Sequence, residues 1–442
     1  LQEWKSKNKL ARNYAHFDKK ISLDIAWNYI SNPEKVASHG FYPFIYYTKE
    51  FTRYSKDKGR VPKERNLCYS AHIDRYIFQY YGYQLNEQYN RRVMKDGTND
   101  AVIAYRNNLG KNNIHFAKQA VDFIREQESC YIVVGDFEKF FDNLQHSYLK
   151  KMLSDLLEVQ SLPPDYYAVY KNITKYSIWD MKSILELNQL PNTSNGVKEL
   201  NKLEQALLLE QFKRHKKQNV KKNPNNFGIP QGSAISAVLS NIYMLKFDKL
   251  MNDYISEKKG LYMRYSDDFI IILPTPTEKD FRNQLDHIMC ITNLIPNINI
   301  HRDKTDIFEY KDQSLINCNE FFLDGKKQGK NLLNYLGFTF DGRIVTIRDQ
   351  TISKYHYKMY RKLKTIVKNN GYTKQKKRIS CKNIYTKYSI KGANVGRGNF
   401  ITYVQRAEKI FGVDEAIHRG TKNHMQKIRK ELDKVKINSI KE

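Results

Sequence analysis

This chain has no run of about 18 apolar residues, and its start shows no signal-peptide pattern, so membrane insertion and secretion are disfavoured. Its five cysteines, Cys68, Cys130, Cys290, Cys318 and Cys381, lack the paired short spacing that builds a zinc site. An odd, scattered set suits a reducing compartment, and the expected location is cytoplasmic. The eleven histidines form no HExxH-type cluster, and His72, His115 and His146, near the motif segments, read as packing or RNA-facing residues more readily than as metal ligands. Internal repeats and low-complexity linkers are also missing. Acidic residues are in short supply. The 47 Asp and Glu face 75 Lys and Arg, and the resulting +28 implies a polyanionic partner. A basic membrane-surface protein is the rival reading, and the missing apolar run counts against it. With 442 residues the chain can hold two or three packed units.

Against this background, Tyr265-Ser266-Asp267-Asp268 stands out because it interrupts an apolar run, LYMRYSDDFIIIL, while a lone Asp136 closes another, YIVVGDF. Adjacent carboxylates in an apolar strand are costly to bury unless cations compensate them. Hard divalent metals take oxygen ligands, and two of them about 4 Å apart can clamp the attacking and leaving oxygens of a phosphoryl displacement. Three carboxylates on neighbouring strands would suit a nucleotidyl-transfer centre. An Asp pair that merely caps a turn is the alternative. Between the carboxylate segments lies GIPQGSAISAVLSNIYM, in which a Gly-Pro-Gln-Gly turn opens into a helical apolar run. Glycines there allow close backbone approach to a base pair or sugar, and Gln231 can both donate and accept hydrogen bonds. INIHRDKTDIF and NYLGFTFDG follow downstream.

Taken together and in this order, the segments resemble the reverse transcriptases. GDFEKFFDNLQH resembles their first catalytic motif, GIPQGSAIS the second and YSDD the third. DKT at Asp303 to Thr305 resembles the fourth, with Lys304 at its lysine, and YLGF at Tyr335 to Phe338 resembles the primer grip. Upstream, RNLCYSAHIDR keeps the Arg65-to-Arg75 interval of fingers in the bacterial group II intron type. The resemblance spans about Arg60 to Asp349.

It implies a right-hand polymerase of α/β (α+β) class, with fingers, an antiparallel palm sheet with helices, and a helical basic thumb. It also implies Asp136, Asp267 and Asp268 as catalytic residues, and these with Phe137 as ligands of two Mg2+, Mn2+ being an alternative ion. Arg65, Lys63, Phe141, Gln231 and Lys304 fall at positions that meet the incoming deoxynucleoside triphosphate. Local sequence around Lys63 is shorter than in intron enzymes, which leaves that lysine open. Phe141 would clash with a 2′-hydroxyl and select deoxynucleotides, with a core role for one of Phe140 and Phe141 as the alternative. Both roles can hold together, since alternation in a strand sends the two rings to opposite faces. Arg75, Gly232, Tyr265, Tyr335 and Gly337 are expected against nucleic acid.

The expected organisation is an N-terminal helical extension over 1–55, fingers over 56–130, a palm over 131–342 with an insert at 145–226, and a basic helical thumb over 343–442. Helices are expected over NNIHFAKQAVDFIREQ, YLKKMLSDLLE, KYHYKMYRKLKTIVK and HMQKIRKELDKVK. From Arg343 onward, 26 Lys and Arg face 7 Asp and Glu, a net of +19 out of the whole +28. Charge so concentrated fits a thumb gripping phosphates, and Lys376, Lys377 and Arg378 are expected to touch nucleic acid. A solvated helical tail is the alternative. The lysine-rich approach FKRHKKQNVKKN divides in the same way between nucleic-acid contact and a solvated face.

No appendage resembles RNase H, a zinc endonuclease or an integrase. The architecture looks most like bacterial defence-associated reverse transcriptases of the abortive-infection and unknown-group kind. That resemblance implies cDNA synthesis on a structured non-coding RNA, with RNA template, cDNA product and dNTPs as partners, no membrane, and self-association left open. A group II intron maturase, a retron enzyme, a template-independent polymerase, an RNA-dependent RNA polymerase and an RNA-binding scaffold with a vestigial site are the alternatives.

Overall fold

The structure, a computed structural model, describes residues 1–8, 13–55, 59–275, 277–372 and 382–440. Helices Gln2–Asn8, Leu23–Ile30 and Pro33–Ala37 occupy the N-terminal segment, but the expected helical character stops there. The aromatic stretch at 41–47 instead leads into β1 (Phe44–Ser55), which pairs antiparallel with β2 (Gly59–Tyr69). Aromatic and β-branched side chains favour a pleated, half-buried surface, and the pairing with β2 overrides the local helical pattern. Beyond Leu67 the hairpin becomes an exposed two-stranded arm that carries Lys63 and Arg65 away from the core. Behind it, helix His72–Lys95 is buried on several sides, and a Cβ at Gly82 would lie 3.6 Å from Ile235.

Helix Asn113–Arg125, capped by the Asn112 side chain, precedes β3 (Ser129–Asp136). The segment at 145–226 begins with helix His146–Leu157 and then adds strands to the first sheet. β4 (Ser177–Asp180) runs parallel to β1, and β5 (Lys221–Lys222) pairs with β4, giving the order β2-β1-β4-β5. Trp179 of β4 is fully buried in a separate core with Phe17, Ile45, Ile184 and Phe212. Thus this segment builds outward from the arm's base.

The central sheet has the order β6-β7-β3-β8-β9, with β6 (Leu261–Tyr265), β7 (Asp268–Leu273), β8 (Asp306–Lys311) and β9 (Ser314–Asn317), all antiparallel. Strands β3 and β7 carry the apolar runs IVV and FIIIL because both of their faces are covered. Tyr131, Val133, Phe269 and Ile271 enter a core shared with helix His72–Lys95. Cys130, Ile132, Ile270 and Ile272 enter a second core, shared with the small sheet β10 (Leu333–Tyr335), β11 (Phe338–Phe340) and β12 (Val345–Ile347) and with Val404 and Phe411. Helices Asp349–Lys368, Lys382–Tyr388, Phe400–Phe411 and His424–Ile440 follow, around a core of Tyr355, Met359, Leu363, Ile384 and Ile428. The four helices expected from periodicity are all present.

Candidate active site

Register decides the centre of the site. β3 pairs with β7 so that Asp136 lies directly opposite Asp268. Asp267 sits in the two-residue turn joining β6 to β7, whose other residue, Ser266, adopts φ +63°. The Asp267 carbonyl accepts a hydrogen bond from the Phe137 backbone at 3.0 Å, tying the turn to the end of β3. Gly135 is required one residue earlier, since a Cβ there would lie 2.4 Å from the Phe269 ring. Lys304, in the 3-10 turn Arg302–Lys304, donates to Asp136 Oδ1.

Negative charge is under-compensated here. Asp268 opens onto the cleft, yet desolvation by the surrounding protein, with repulsion from Asp267 and Asp136, pushes its pKa up to about 7. Asp267 is raised for the same reasons, burial first and Asp136 second. Such a donor set fits hard divalent cations. Among the described residues no three His, Cys, Asp or Glu side chains form a ready-made metal cage. The Phe137 side chain is buried against Phe140, Phe247 and Phe269, so only its backbone carbonyl is available as a ligand.

The other expected residues fall into distinct groups. Phe140 and Phe141 lie in the short helix Phe140–Asn143, so strand alternation does not apply to them. The left-handed Lys139 at φ +43° turns the chain out of the strand before Phe140. Phe140 is buried, while Phe141 is half-buried and packs edge-on against it at 5.5 Å. The Phe141 carbonyl accepts from Ile229 N at 2.9 Å, which sets the Gly228–Gly232 turn beside it. Gln231 O accepts from Cys68 N at 2.8 Å, and Gly232, at φ +110°, leaves no room for a Cβ against the Cys68 carbonyl. This turn therefore joins the base of the arm to the carboxylate strands. On the arm Lys63 and Arg65 share a face, both exposed, with the Arg65 guanidinium 5.6 Å from the Phe51 ring.

Arg75 is placed under the surface rather than on it. It is buried against the Tyr76 ring, and its Nε and Nη2 have no hydrogen-bond partner among the described residues. A cavity of about 350 Å3 opens beside Asp268, lined by Tyr265, Tyr335, Gly337, Asn113 and Arg348 among others. Tyr335 is itself largely buried, so it contributes a wall more than a reaching hydroxyl. Leu336 and Gly337, at φ +46° and +94°, form the turn between β10 and β11 that faces this cavity. Lys376, Lys377 and Arg378 lie outside the described residues.

Two participants escaped the sequence reading. Arg348 lines the cavity and partly offsets the Asp268 charge, while its backbone N–H donates to Gly337 O at 3.0 Å. Asn113 Nδ2 donates to Leu336 O at 2.9 Å and to Tyr403 Oη at 3.1 Å, holding the same turn. Neither lies in a motif, and no local pattern marks them.

No curated protein matches this chain. Among solved structures, apo telomerase from Candida tropicalis truncated from its C-terminal domain is similar at 15% identity and TM-score 0.40, over 74% of this chain and 61% of that one. Telomerase from Candida albicans, in complex with a TWJ fragment of telomeric RNA, is similar at 12% identity and TM-score 0.41, over 93% of this chain and 66% of that one. The chain thus spans less than two thirds of either telomerase chain. Likenesses this remote bear no weight. The sequence comparison does, because the family described as reverse transcriptase (RNA-dependent DNA polymerase) matches residues 84–340, more than half of the chain, and that span contains the Asp136, Asp267 and Asp268 strands and the turn at Leu336 and Gly337. The mixed α+β architecture, with its antiparallel carboxylate sheet, is accordingly that of a right-hand polymerase, and the chain belongs to the reverse transcriptase family.

Proposed function

We propose that this chain extends a DNA strand on an RNA template. The observation that carries this reading is the direct cross-strand pairing of Asp136 with Asp268, with Asp267 in the adjoining turn. Asp136, Asp267, Asp268 and the Phe137 carbonyl would hold two Mg2+, which when bound acidify the attacking 3′-hydroxyl and neutralise the leaving pyrophosphate. Lys304, which donates to Asp136, would neutralise or protonate that pyrophosphate. Arg65 and Lys63 supply phosphate contacts from the arm, Arg65 by a planar fork and Lys63 as a point charge. Phe141 and the Gln231 turn bound the sugar and base of the incoming dNTP. The cavity beside Asp268, between Asn113, Gly337 and Arg348, would receive the end of the primer strand.

Among the described residues no helix is long and apolar enough to cross a membrane. We place the chain in the bacterial cytoplasm, copying a structured non-coding RNA as part of anti-phage defence. The +19 carried by 343–442 supports a tightly held RNA. Primer extension on an RNA template with Mg2+ and dNTPs tests the activity. Asp136→Ala and the double change Asp267→Ala, Asp268→Ala should each abolish extension while primer-template binding persists. Extension by a folded double variant would refute the site. RNA copurifying with the chain tests the finer reading, which fails if that RNA is indistinguishable from bulk cellular RNA.

A further inference from the structure

A lone arginine lies inside the apolar run that ends in the two carboxylates. Arg264 of β6 is 0% exposed, and its partner Asp248, on helix Leu245–Glu257, is 1% exposed. Two arms of the guanidinium grip Asp248, Nε donating to Oδ1 at 2.7 Å and Nη2 to Oδ2 at 2.6 Å. Tyr262 Oη donates to the same Oδ1 at 2.7 Å, so the carboxylate is saturated within the core. Burial works to lower the guanidinium pKa, but the charge and hydrogen bonds of Asp248, with Tyr262 and Tyr89, together hold it above its ordinary value.

The third arm points elsewhere. Arg264 Nη1 donates to the carbonyl of Ser266 at 2.8 Å, on the residue immediately before Asp267. Ser266 holds the left-handed φ of +63° that the two-residue turn requires, a conformation an L-residue keeps only when its surroundings impose it. A second restraint comes from outside, where Tyr105 Oη and Ser266 Oγ lie 3.0 Å apart. Segment 101–105 is itself fastened to β6, since Arg264 N donates to Ala101 O at 2.8 Å and Ile103 N donates to Arg264 O at 3.1 Å. Asn241 Nδ2 completes the frame by donating to Ala104 O at 2.9 Å. A pair serving stability alone would need only Arg264 and Asp248. The extra arm goes to the backbone that aims Asp267 and Asp268.

We propose that Arg264 and Asp248 are positioning residues: the buried pair locks the Ser266 carbonyl, and with it the orientation in which Asp267 and Asp268 receive divalent cations. This rests on reading those two carboxylates as metal ligands. Lysine cannot replace Arg264, because one ammonium cannot fork onto Asp248 and also reach Ser266 O. Removing both charges together should preserve the core, since buried pairs tolerate replacement by apolar residues of similar volume.

The test uses the full chain with Mn2+ as the probe, its binding measured by electron paramagnetic resonance beside thermal unfolding and single-turnover dNTP incorporation. Wild type against Asp267→Ala examines the metal centre itself, and equal Mn2+ binding in those two would defeat the function reading rather than the positioning role. Arg264→Lys and the triple change Arg264→Met, Asp248→Leu, Tyr262→Phe examine positioning. Each should bind Mn2+ about tenfold more weakly and incorporate about tenfold more slowly, with the dNTP dissociation constant within about twofold of wild type. A folded triple variant with wild-type Mn2+ binding would overturn the proposal. Tyr105→Phe, which removes one restraint on Ser266 and leaves the buried pair intact, should weaken Mn2+ binding about threefold. An unchanged value there also counts against the lock, even if neither core variant folds.

Discussion

At the residue scale, the proposed chemistry depends on carboxylates kept close together against their own repulsion. Asp268 has a folded pKa of about 7, above the ordinary carboxylate value of about 3.9. Between those values the folded state holds a proton that the unfolded chain has released, so this group makes the metal-free protein more stable as pH falls from about 7 towards 4. Asp268→Asn should flatten that dependence, leaving the part due to Asp267, and thermal unfolding in chelator across pH 8 to 5 reports it. Identical slopes for the variant and wild type would show that the crowding is relieved some other way. Mg2+ affinity should fall over the same window, because proton and cation compete for one oxygen pair. Phe141 tests selectivity at this scale. With the ring cut back in Phe141→Val, preference for deoxy- over ribonucleotides should drop about tenfold or more, equivalent to roughly 1.4 kcal/mol of lost exclusion. Single-turnover incorporation of each nucleotide type measures the ratio, and no change would assign the ring to the core.

At the element scale, short turns connect strands that must move or hold together. Gly232 is the clearest case, because its φ of +110° and the 2.4 Å from a built Cβ to the Cys68 carbonyl both forbid a side chain. Gly232→Val should cost about 1–3 kcal/mol in strain. It should also push the base of the β1–β2 arm away from the Gln231 turn, raising the dNTP dissociation constant more than it slows the chemical step. Concentration-dependent single-turnover kinetics separate the two effects, and a pure loss of rate with unchanged dNTP affinity would argue against an arm-to-turn coupling. The turn at Leu336 and Gly337 is held differently, by Asn113 and the backbone of Arg348, so elements far apart in the chain determine its position.

At the scale of the whole molecule, charge is segregated by function. Helix Asp349–Lys368 buries Tyr355, Met359, Leu363 and Ile366, while Lys354, Lys358, Arg361 and Lys368 lie exposed on its other side with Tyr357. A basic face with an exposed aromatic ring suits a duplex backbone. Changing Lys354, Lys358 and Arg361 together to Gln should weaken binding of an RNA–DNA hybrid and reduce the slope of log affinity against log salt by about 2 to 3, at roughly 0.7 to 0.9 per lost phosphate contact. Titrations at several salt concentrations measure this, and an unchanged slope would make the face merely solvated.

Much of the site was legible along the chain, because its signals are local. Apolar runs broken by Asp136 and by Asp267 and Asp268 marked the buried strands, the Gly-Pro-Gln-Gly segment marked a turn before a helix, and 3.6-residue periodicity marked the basic C-terminal helices. Motif order then identified the family. Local reading failed where pairing overrode propensity, as when the aromatic segment leading into Phe44 became the arm strand and Phe140 with Phe141 became a helical turn. The segment at 145–226 could be delimited, but not assigned to the sheet of β1, since strand partners are chosen by contacts between distant residues. The same reason hid Arg348, Asn113 and Tyr105, and left Arg264 as only an odd charge in an apolar strand. Which side chains are near the three carboxylates depends on sheet register and helix packing, and those are energies of the folded chain as a whole rather than of any one segment.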